Sequence, residues 1–245
     1  MSQTPASPVN LGPVPLVVAI DGPAGAGKST VAQLLAARLA YDLLDTGALY
    51  RILALLAFQS GIAWDDGPKV AALAADLDIR FQLKNGLNRV FVNGGDVTPR
   101  IRTPEISDGA SRVSALPEVR GALLELQRRL GAAGGVVVEG RDIGTVVFPA
   151  AEAKFYLTAT IEERARRRTA ELRAAGRDID EQAVLLDITA RDLRDTTRAV
   201  APLRPAPDAI EIDSSGISAT EVVELMLEVV RQRSGEPIGS SQPPQ

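Results

Sequence analysis

Short apolar runs alternate with segments of helical periodicity along most of this chain. The first run, LVVAI at residues 16–20, is rich in β-branched residues, as in strands buried on both faces of a parallel sheet. A glycine-rich turn follows, and residues 31–40 then place apolar side chains at helical spacing. The order strand, turn and helix is typical of a βαβ unit and predicts an α/β fold.

The same alternation continues towards the C-terminus. Further apolar runs predict strands at residues 41–45, 136–140, 153–159 and 209–215. The segments between them predict helices at residues 46–61, 103–116, 117–132, 161–176, 180–200 and 217–233, with Ser218 as a candidate cap for the last helix. Together with the first run, the pattern predicts five strands separated by helices.

The pattern changes between residues 76 and 98. Apolar and polar residues alternate there on both sides of Asn85-Gly86, a dipeptide that favours the tight turn of a β-hairpin. The simplest interpretation is an antiparallel insertion into an otherwise α/β chain. No internal repeat accompanies it.

Composition excludes several kinds of chemistry. The 245 residues include neither histidine nor cysteine, which rules out a Ser-His-Asp triad, a thiolate nucleophile and a cysteine-ligated zinc. The 27 basic and 31 acidic residues give a net charge of −4, which argues against a general nucleic-acid-binding surface. Arginine supplies 23 of the 27 cations, and its planar donor fork suits phosphate, although GC-rich coding DNA would produce the same excess.

The two ends of the chain have the composition of disordered segments. Residues 1–13 lack the basic and apolar regions of a secretory signal, and the tail from Ser234 is rich in serine, glycine and proline. No apolar run approaches the roughly 18 residues of a membrane helix. We therefore expect a cytoplasmic protein without a membrane partner. The net charge argues against a nucleic-acid partner as well. We also expect the protein to act as a monomer.

Residues 22–30 match the phosphate-loop pattern G-x-x-x-x-G-K-[ST]. Glycines allow backbone N–H groups to surround phosphate oxygens, the lysine reaches the outer phosphates, and the following serine hydroxyl can bind Mg²⁺. The predicted strand before the loop and the predicted helix after it are the context that this motif requires. The candidate phosphate site comprises Gly22, Pro23, Ala24, Gly25, Ala26, Gly27, Lys28, Ser29 and Thr30.

A phosphate loop alone does not identify the reaction. The D-x-x-G and N-K-x-D motifs of GTPases are missing from the expected elements. A short chain with an insertion and an arginine-rich helix favours a kinase for a small phosphorylated acceptor. A regulatory P-loop ATPase stays open as an alternative, and a nucleic-acid-binding ATPase is disfavoured by the net charge.

Two further loops carry candidate ligand-binding residues at the carboxyl ends of strands, where open α/β sheets bind ligands. Thr46 and Arg51 follow the second strand, and Arg141 and Asp142 follow the third. The structural alternatives are a helix cap at Asp45 or Thr46 with a solvated Arg51, and a polar turn in which Arg141 pairs with Asp142 or another neighbour.

Two helices carry candidate charged faces. Arg191, Asp195 and Arg198 share one face of the helix at 180–200, because they are four and three residues apart. The helix at 161–176 begins with Glu162-Glu163 and an arginine run, which fits either a mobile lid over ATP or a solvated helix neutralised by its glutamates. The sequence does not choose between a ligand-facing and a solvated face for either helix.

Together these segments resemble the bacterial cytidylate kinases, a family of P-loop nucleoside monophosphate kinases. The matching stretches are IDGPAGAGKST, LLDTGALYR, the insert DIRF…NG…DVTPRIRTPEIS, GRDIGTVVFP, YLTATIEERARRR and RDLRDTTRAVAPL, in the family order between residues 16 and 232. Thr46 stands where relatives have serine and Ser29 where they often have glycine. Thr46 thus keeps a hydroxyl group at its position, and Ser29 adds one at its own.

The resemblance implies a three-layer P-loop fold around a five-stranded parallel sheet, with a monophosphate-binding insertion that contains a small antiparallel sheet, and a short lid. The implied regions are a disordered leader at 1–14, core segments at 15–60, 105–160 and 181–233, the insertion at 61–104, the lid at 161–180 and a disordered tail at 234–245.

The resemblance also implies an activity, the phosphorylation of CMP or dCMP by ATP with Mg²⁺. A P-loop kinase for another small acceptor, such as UMP or a non-nucleotide acid, stays open as an alternative. It implies catalytic roles for Lys28, Arg141 and Arg191, and Mg²⁺ binding by Ser29. Residues 22–30, Arg167 and Arg168 would hold ATP. The implied acceptor residues are Thr46, Ser111, Arg120, Asp142 and Arg198 around cytosine, Arg191 and Asp195 near the ribose, and Arg51, Arg102 and Arg141 near the phosphate.

Overall fold

A computed structural model of the protein describes residues 15–84 and 87–235. The predicted leader, the end of the predicted tail and the Asn85-Gly86 turn lie outside the described residues. The strands are β1 (Val17–Asp21), β2 (Asp42–Asp45), β3 (Ile79–Lys84), β4 (Leu87–Val92), β5 (Gly95–Asp96), β6 (Val136–Gly140), β7 (Ala153–Thr158) and β8 (Ile210–Asp213). The helices are α1 (Lys28–Leu39), α2 (Thr46–Gln59), α3 (Gly67–Ala72), α4 (Pro104–Val113), α5 (Pro117–Gly131), α6 (Ile161–Ala174), α7 (Glu181–Thr197) and α8 (Ala219–Arg233).

Five parallel strands form the central sheet in the order β2-β6-β1-β7-β8. The predicted α/β fold with a five-stranded parallel sheet is confirmed. β1 lies at the centre, and its residues Val18, Ala19 and Ile20 are completely buried, as expected of a strand covered on both faces. All five strands end at the same edge of the sheet, so the loops that follow them meet there.

The predicted antiparallel insertion is also confirmed as a three-stranded sheet in the order β3-β4-β5. β3 and β4 pair from Ile79 with Val92 to Lys84 with Leu87. The insertion does not form a core of its own. Val70, Ile79 and Val90 pack in one apolar cluster with side chains of α2, α4 and α5, so hydrophobic contacts cross the predicted limits at 61 and 104.

A second apolar cluster lies between the central sheet and the helices α1 and α8. It contains Leu35 from α1, Phe155 from β7 and Met226 from α8, all fully buried. The predicted cap of α8 is confirmed: the Ser218 hydroxyl accepts a hydrogen bond from the Glu221 N–H, and the Glu221 carboxylate accepts one from the Ser218 N–H.

Three short helical segments were not predicted. The six-residue α3 begins after Asp66, whose carboxylate accepts a hydrogen bond from the Lys69 N–H. A helical turn at Arg100–Arg102 precedes α4, and another at Ile143–Val147 follows β6. All three are too short to show helical periodicity, so only the capping residue of α3 offered a signal. Within the described parts of the chain, no helix is long and apolar enough to cross a membrane.

Candidate active site

One cavity of about 900 Å³ opens at the edge where the parallel strands end. The loop between β1 and α1 lines one side of it, and the residues after β2 and β6 line the other. Parts of α4, α6 and α7, Arg120 of α5, and residues between Ser214 and Val222 after β8 complete the wall. The strand order therefore brings a phosphate loop and several arginine-bearing segments to one place.

The phosphate loop turns sharply out of β1. Gly22, Gly25 and Gly27 have φ values of +148°, +77° and +89°, and α1 begins at Lys28 directly after them. The Lys28 ammonium is buried and donates a hydrogen bond to the Pro23 carbonyl at 2.6 Å. Burial, together with the positive charge of Arg141, lowers the pKa of Lys28 to about 7. The nearby carboxylates act in the opposite direction and raise that pKa. A bound phosphate would stabilise the charged form of this lysine.

We expect Gly22→Ala to disrupt the loop. A β-carbon at Gly22 would lie 2.0 Å from the Leu157 carbonyl oxygen, so the backbone of β7 or of the loop must shift. ATP affinity should fall by at least about tenfold, and the melting temperature should fall as well. Gly121→Ala is the matched control, because a β-carbon added there meets open space and alanine favours the helix. Calorimetric ATP titration and thermal unfolding test this, and wild-type ATP affinity in Gly22→Ala would contradict it.

A hydroxyl and a carboxylate meet beside the loop. The Ser29 hydroxyl donates a hydrogen bond to Glu139 Oε2 at 2.9 Å. Glu139 is buried, and its burial and the nearby Asp45 charge raise its pKa to about 7. No cluster of three or more carboxylates that could hold a metal occurs in residues 15–84 or 87–235. Oxygen ligands of this kind suit Mg²⁺, which commonly takes one or two protein ligands and completes its shell with phosphates and water.

Asp142 lies between two buried arginines. Its two carboxylate oxygens accept hydrogen bonds from Arg120 and from Arg198, the latter at 3.3 Å. Each carboxylate oxygen retains a further acceptor position. The Ser111 hydroxyl also lines the cavity and, within the described parts of the chain, is buried without a hydrogen-bond partner. Thr46 lies nearby, and its hydroxyl donates to the Glu139 carbonyl at 2.7 Å.

Other arginines of the cavity are held by acidic side chains. Arg141 Nε donates to Asp195 at 2.8 Å, and Arg141 Nη1 donates to the carbonyl of its neighbour Gly140 at 3.3 Å. The acidic partner of Arg141 is therefore Asp195 and not Asp142. Arg51 pairs with Asp45 at 2.5 Å, and Arg191 with Asp187 at 3.2 Å. Burial lowers the pKa of Arg191 and of Arg198, and a bound anion would offset that cost. Arg191 and Asp195 of α7 line the cavity, as the predicted helical face requires. Arg198 also lines it, but the helix ends at Thr197 and Arg198 follows with an extended backbone.

The arginines of α6 have partners of their own. Glu163 accepts hydrogen bonds from Arg166 and Arg167, and these bonds lower the pKa of the Glu163 carboxyl to about 2. Arg167 also donates to the Ser214 carbonyl at 2.6 Å, and Arg168 pairs with Glu171 at 3.0 Å. Arg166, Arg167 and Arg168 all line the cavity. Glutamates thus partly neutralise the arginine run of α6, as the solvated-helix interpretation requires. The same arginines also face the cavity, as the lid interpretation requires.

Three candidate residues do not line the cavity: Gly22 and Pro23, where the phosphate loop leaves β1, and Arg102. Arg102 is also far from the loop in the sequence. It is exposed, does not line the cavity, and its guanidinium donates to the Asn88 carbonyl at 3.3 Å. Sequence reasoning missed Glu139, which lines the cavity, and it missed Asp21 and Arg164, which do not line it but hydrogen-bond to loops that do. Glu139 and Asp21 both stand at carboxyl ends of central strands, a signal that could have found them. Arg164 Nη1 donates to the Ala24 carbonyl at 3.0 Å and its role depends on tertiary contacts.

The phosphate loop and the arginine-bearing segments line one cavity at the edge of a parallel sheet. This arrangement defines a P-loop phosphotransferase. The family model described as cytidylate kinase matches residues 18–232. The chain belongs to the cytidylate kinase family.

Curated relatives support the same assignment. The cytidylate kinase of Syntrophotalea carbinolica is 53% identical over 218 residues, which cover 89% of this chain and 93% of that protein. The cytidylate kinase of Geobacter sulfurreducens is 52% identical, covering 89% of this chain and 94% of its own. That of Pseudomonas aeruginosa is also 52% identical, covering 88% and 95%.

Proposed function

We propose that this protein transfers the γ-phosphoryl group of ATP to CMP and dCMP, forming ADP with CDP or dCDP. One observation carries the proposal: the phosphate loop and the arginine-lined pocket around Asp142 open into a single cavity. A kinase needs this arrangement, because donor and acceptor phosphates must meet in line without water between them. The cytidylate kinase relatives support the choice of acceptor.

On the donor side, residues 22–30 bind the ATP phosphates through backbone N–H groups, and Lys28 contacts the outer phosphates. Ser29 and Glu139 are the protein groups that fit Mg²⁺. When bound with ATP, the ion neutralises phosphate charge and holds the phosphates in one conformation. Arg167 and Arg168 approach ATP from α6.

On the acceptor side, Asp142 accepts a hydrogen bond from the cytosine amino group, which uracil lacks. Thr46, Ser111, Arg120 and Arg198 surround the base, while Arg191 and Asp195 lie towards the ribose. Arg51 and Arg141 hold the acceptor phosphate. Arg102 is exposed and outside the cavity, so we leave it out of this pocket.

The chemistry needs no histidine or cysteine. An oxygen of the acceptor phosphate forms a bond to the γ-phosphorus of ATP, and the bond from that phosphorus to the β–γ bridging oxygen breaks. A phosphate monoester has its second pKa near 6 and is mostly a dianion at neutral pH, so a general base is unnecessary. Lys28, Arg141 and Arg191 stabilise the charge of the transferring group by position and electrostatics.

We also propose that residues 161–180 act as a lid. The Glu163 carboxylate pairs with both Arg166 and Arg167, each at 2.7 Å. ATP phosphates compete with that carboxylate for the same guanidinium groups, and this exchange favours closure of α6 over the donor site.

A coupled ADP-release assay tests the function. ATP and Mg²⁺ are supplied with CMP, dCMP, UMP, AMP or GMP, or with no acceptor. We expect ADP release with CMP and dCMP that exceeds the no-acceptor rate by at least about 100-fold. Hydrolysis that is slow and independent of every acceptor would instead identify a regulatory ATPase, and a preference for UMP would identify a different kinase.

A further inference from the structure

Asp21, the last residue of β1, is buried but does not line the cavity. Its two carboxylate oxygens accept hydrogen bonds from the backbone N–H groups of Ile143 and Gly144, each at 2.8 Å. These partners lie more than 120 residues further along the chain. Because Asp21 is buried and does not line the cavity, it is not placed to bind a nucleotide or a metal directly.

The two N–H groups belong to the start of the helical turn Ile143–Val147. The first N–H groups of a helix have no partner within it and are usually satisfied by the side chain of the capping residue. Asp142 stands at this capping position, and aspartate is among the preferred caps, yet its side chain makes no capping hydrogen bond. Its carboxylate instead points between Arg120 and Arg198.

We infer that Asp21 is a positioning residue that caps this turn from β1 and so frees the Asp142 carboxylate for the acceptor nucleotide. Without Asp21, the N–H groups of residues 143 and 144 would be buried and unpaired. Asp142 directly precedes them, so its carboxylate is the nearest acidic group in the chain that could turn back to the Gly144 N–H, in competition with Arg120 and Arg198. Asp21 thus acts on the acceptor pocket indirectly, through its hydrogen bonds to the backbone that follows β6.

The inference builds on the proposed acceptor role of Asp142, and Asp21→Asn tests it. The asparagine keeps the shape of the side chain but presents one acceptor and one N–H donor, so one of the two backbone N–H groups loses its partner. We expect faster amide hydrogen exchange at residues 143 and 144 and about tenfold weaker CMP binding, the size of one charge-assisted hydrogen bond. ATP affinity should change by less than about twofold. Asp66→Asn, at the cap of α3, is the matched control and should change none of these.

A double variant separates positioning from general damage. If Asp21 acts through Asp142, then Asp21→Asn combined with Asp142→Asn binds CMP no more weakly than Asp142→Asn alone, to within about twofold. Equal losses of ATP and CMP affinity in Asp21→Asn would overturn the inference, because Gly22 follows Asp21 directly and a loosened strand end would affect both sites. Additive losses in the double variant would overturn it as well. If the wild-type protein binds no CMP, the proposed function fails, and the amide exchange alone then decides whether Asp21 caps the turn.

Discussion

Lys28→Met is expected to lower kcat by about 1,000-fold while CMP affinity changes by less than about threefold. Lys28 is the cation of the phosphate loop, and removing one preorganised group that stabilises transition-state charge commonly costs about 10²–10³-fold in rate. The acceptor pocket around Asp142 is formed by other residues, so CMP binding should survive. Rates come from the ADP-release assay and CMP affinity from calorimetric titration.

Lys154→Met provides a matched control for this variant. Lys154 is also a buried lysine, and its ammonium donates to the carbonyl of the residue five positions before it, Pro149, at 2.6 Å. Lys28 has the same relation to Pro23. Lys154 does not line the cavity, so its replacement should reduce stability and leave kcat within a few fold. Near-normal turnover of Lys28→Met, or equal losses in both variants, would contradict the assignment of Lys28.

Asp142→Asn is expected to remove most of the preference for CMP over UMP. The carboxylate can only accept hydrogen bonds, which matches the cytosine amino group and opposes the uracil carbonyl, whereas an asparagine amide can donate to uracil. Loss of a hydrogen bond to a charged group predicts CMP affinity about 10- to 100-fold lower. The ratio of kcat/KM for the two nucleotides measures the preference, and an unchanged ratio would show that another residue reads the base.

The same substitution should also destabilise the protein. Arg120 and Arg198 are both buried, and loss of the shared carboxylate charge leaves two guanidinium groups incompletely paired. We expect about 3 kcal/mol less stability in denaturant unfolding. Asp108→Asn is the control, because Asp108 pairs with Arg194 at 3.3 Å outside the cavity and is half exposed. It should change neither the nucleotide preference nor the stability by much.

Local features of the fold were predictable because their causes are local. The glycines of residues 22–27 and the lysine that follows them form a phosphate loop wherever a strand precedes and a helix follows. The position of Arg191 and Asp195 on one face of α7 follows from spacing alone, whereas Arg198 lies just beyond the end of the helix. The six-residue α3 and the turn after β6 were missed because they are shorter than the periodicity that reveals a helix.

The sequence by itself determined the fold class, the phosphate loop and which charged residues stand at strand ends or on one helical face. It could not determine which acid pairs with which arginine. Asp142 with Arg198, and Arg141 with Asp195, are pairs separated by more than 50 residues. They form because the strand order β2-β6-β1-β7-β8 brings their loops to one edge, and because α7 packs across that edge. The same order lets Asp21 reach the turn after β6, while Arg102 stays outside the cavity. Charge and spacing are properties of the chain, whereas burial and pairing depend on the tertiary structure.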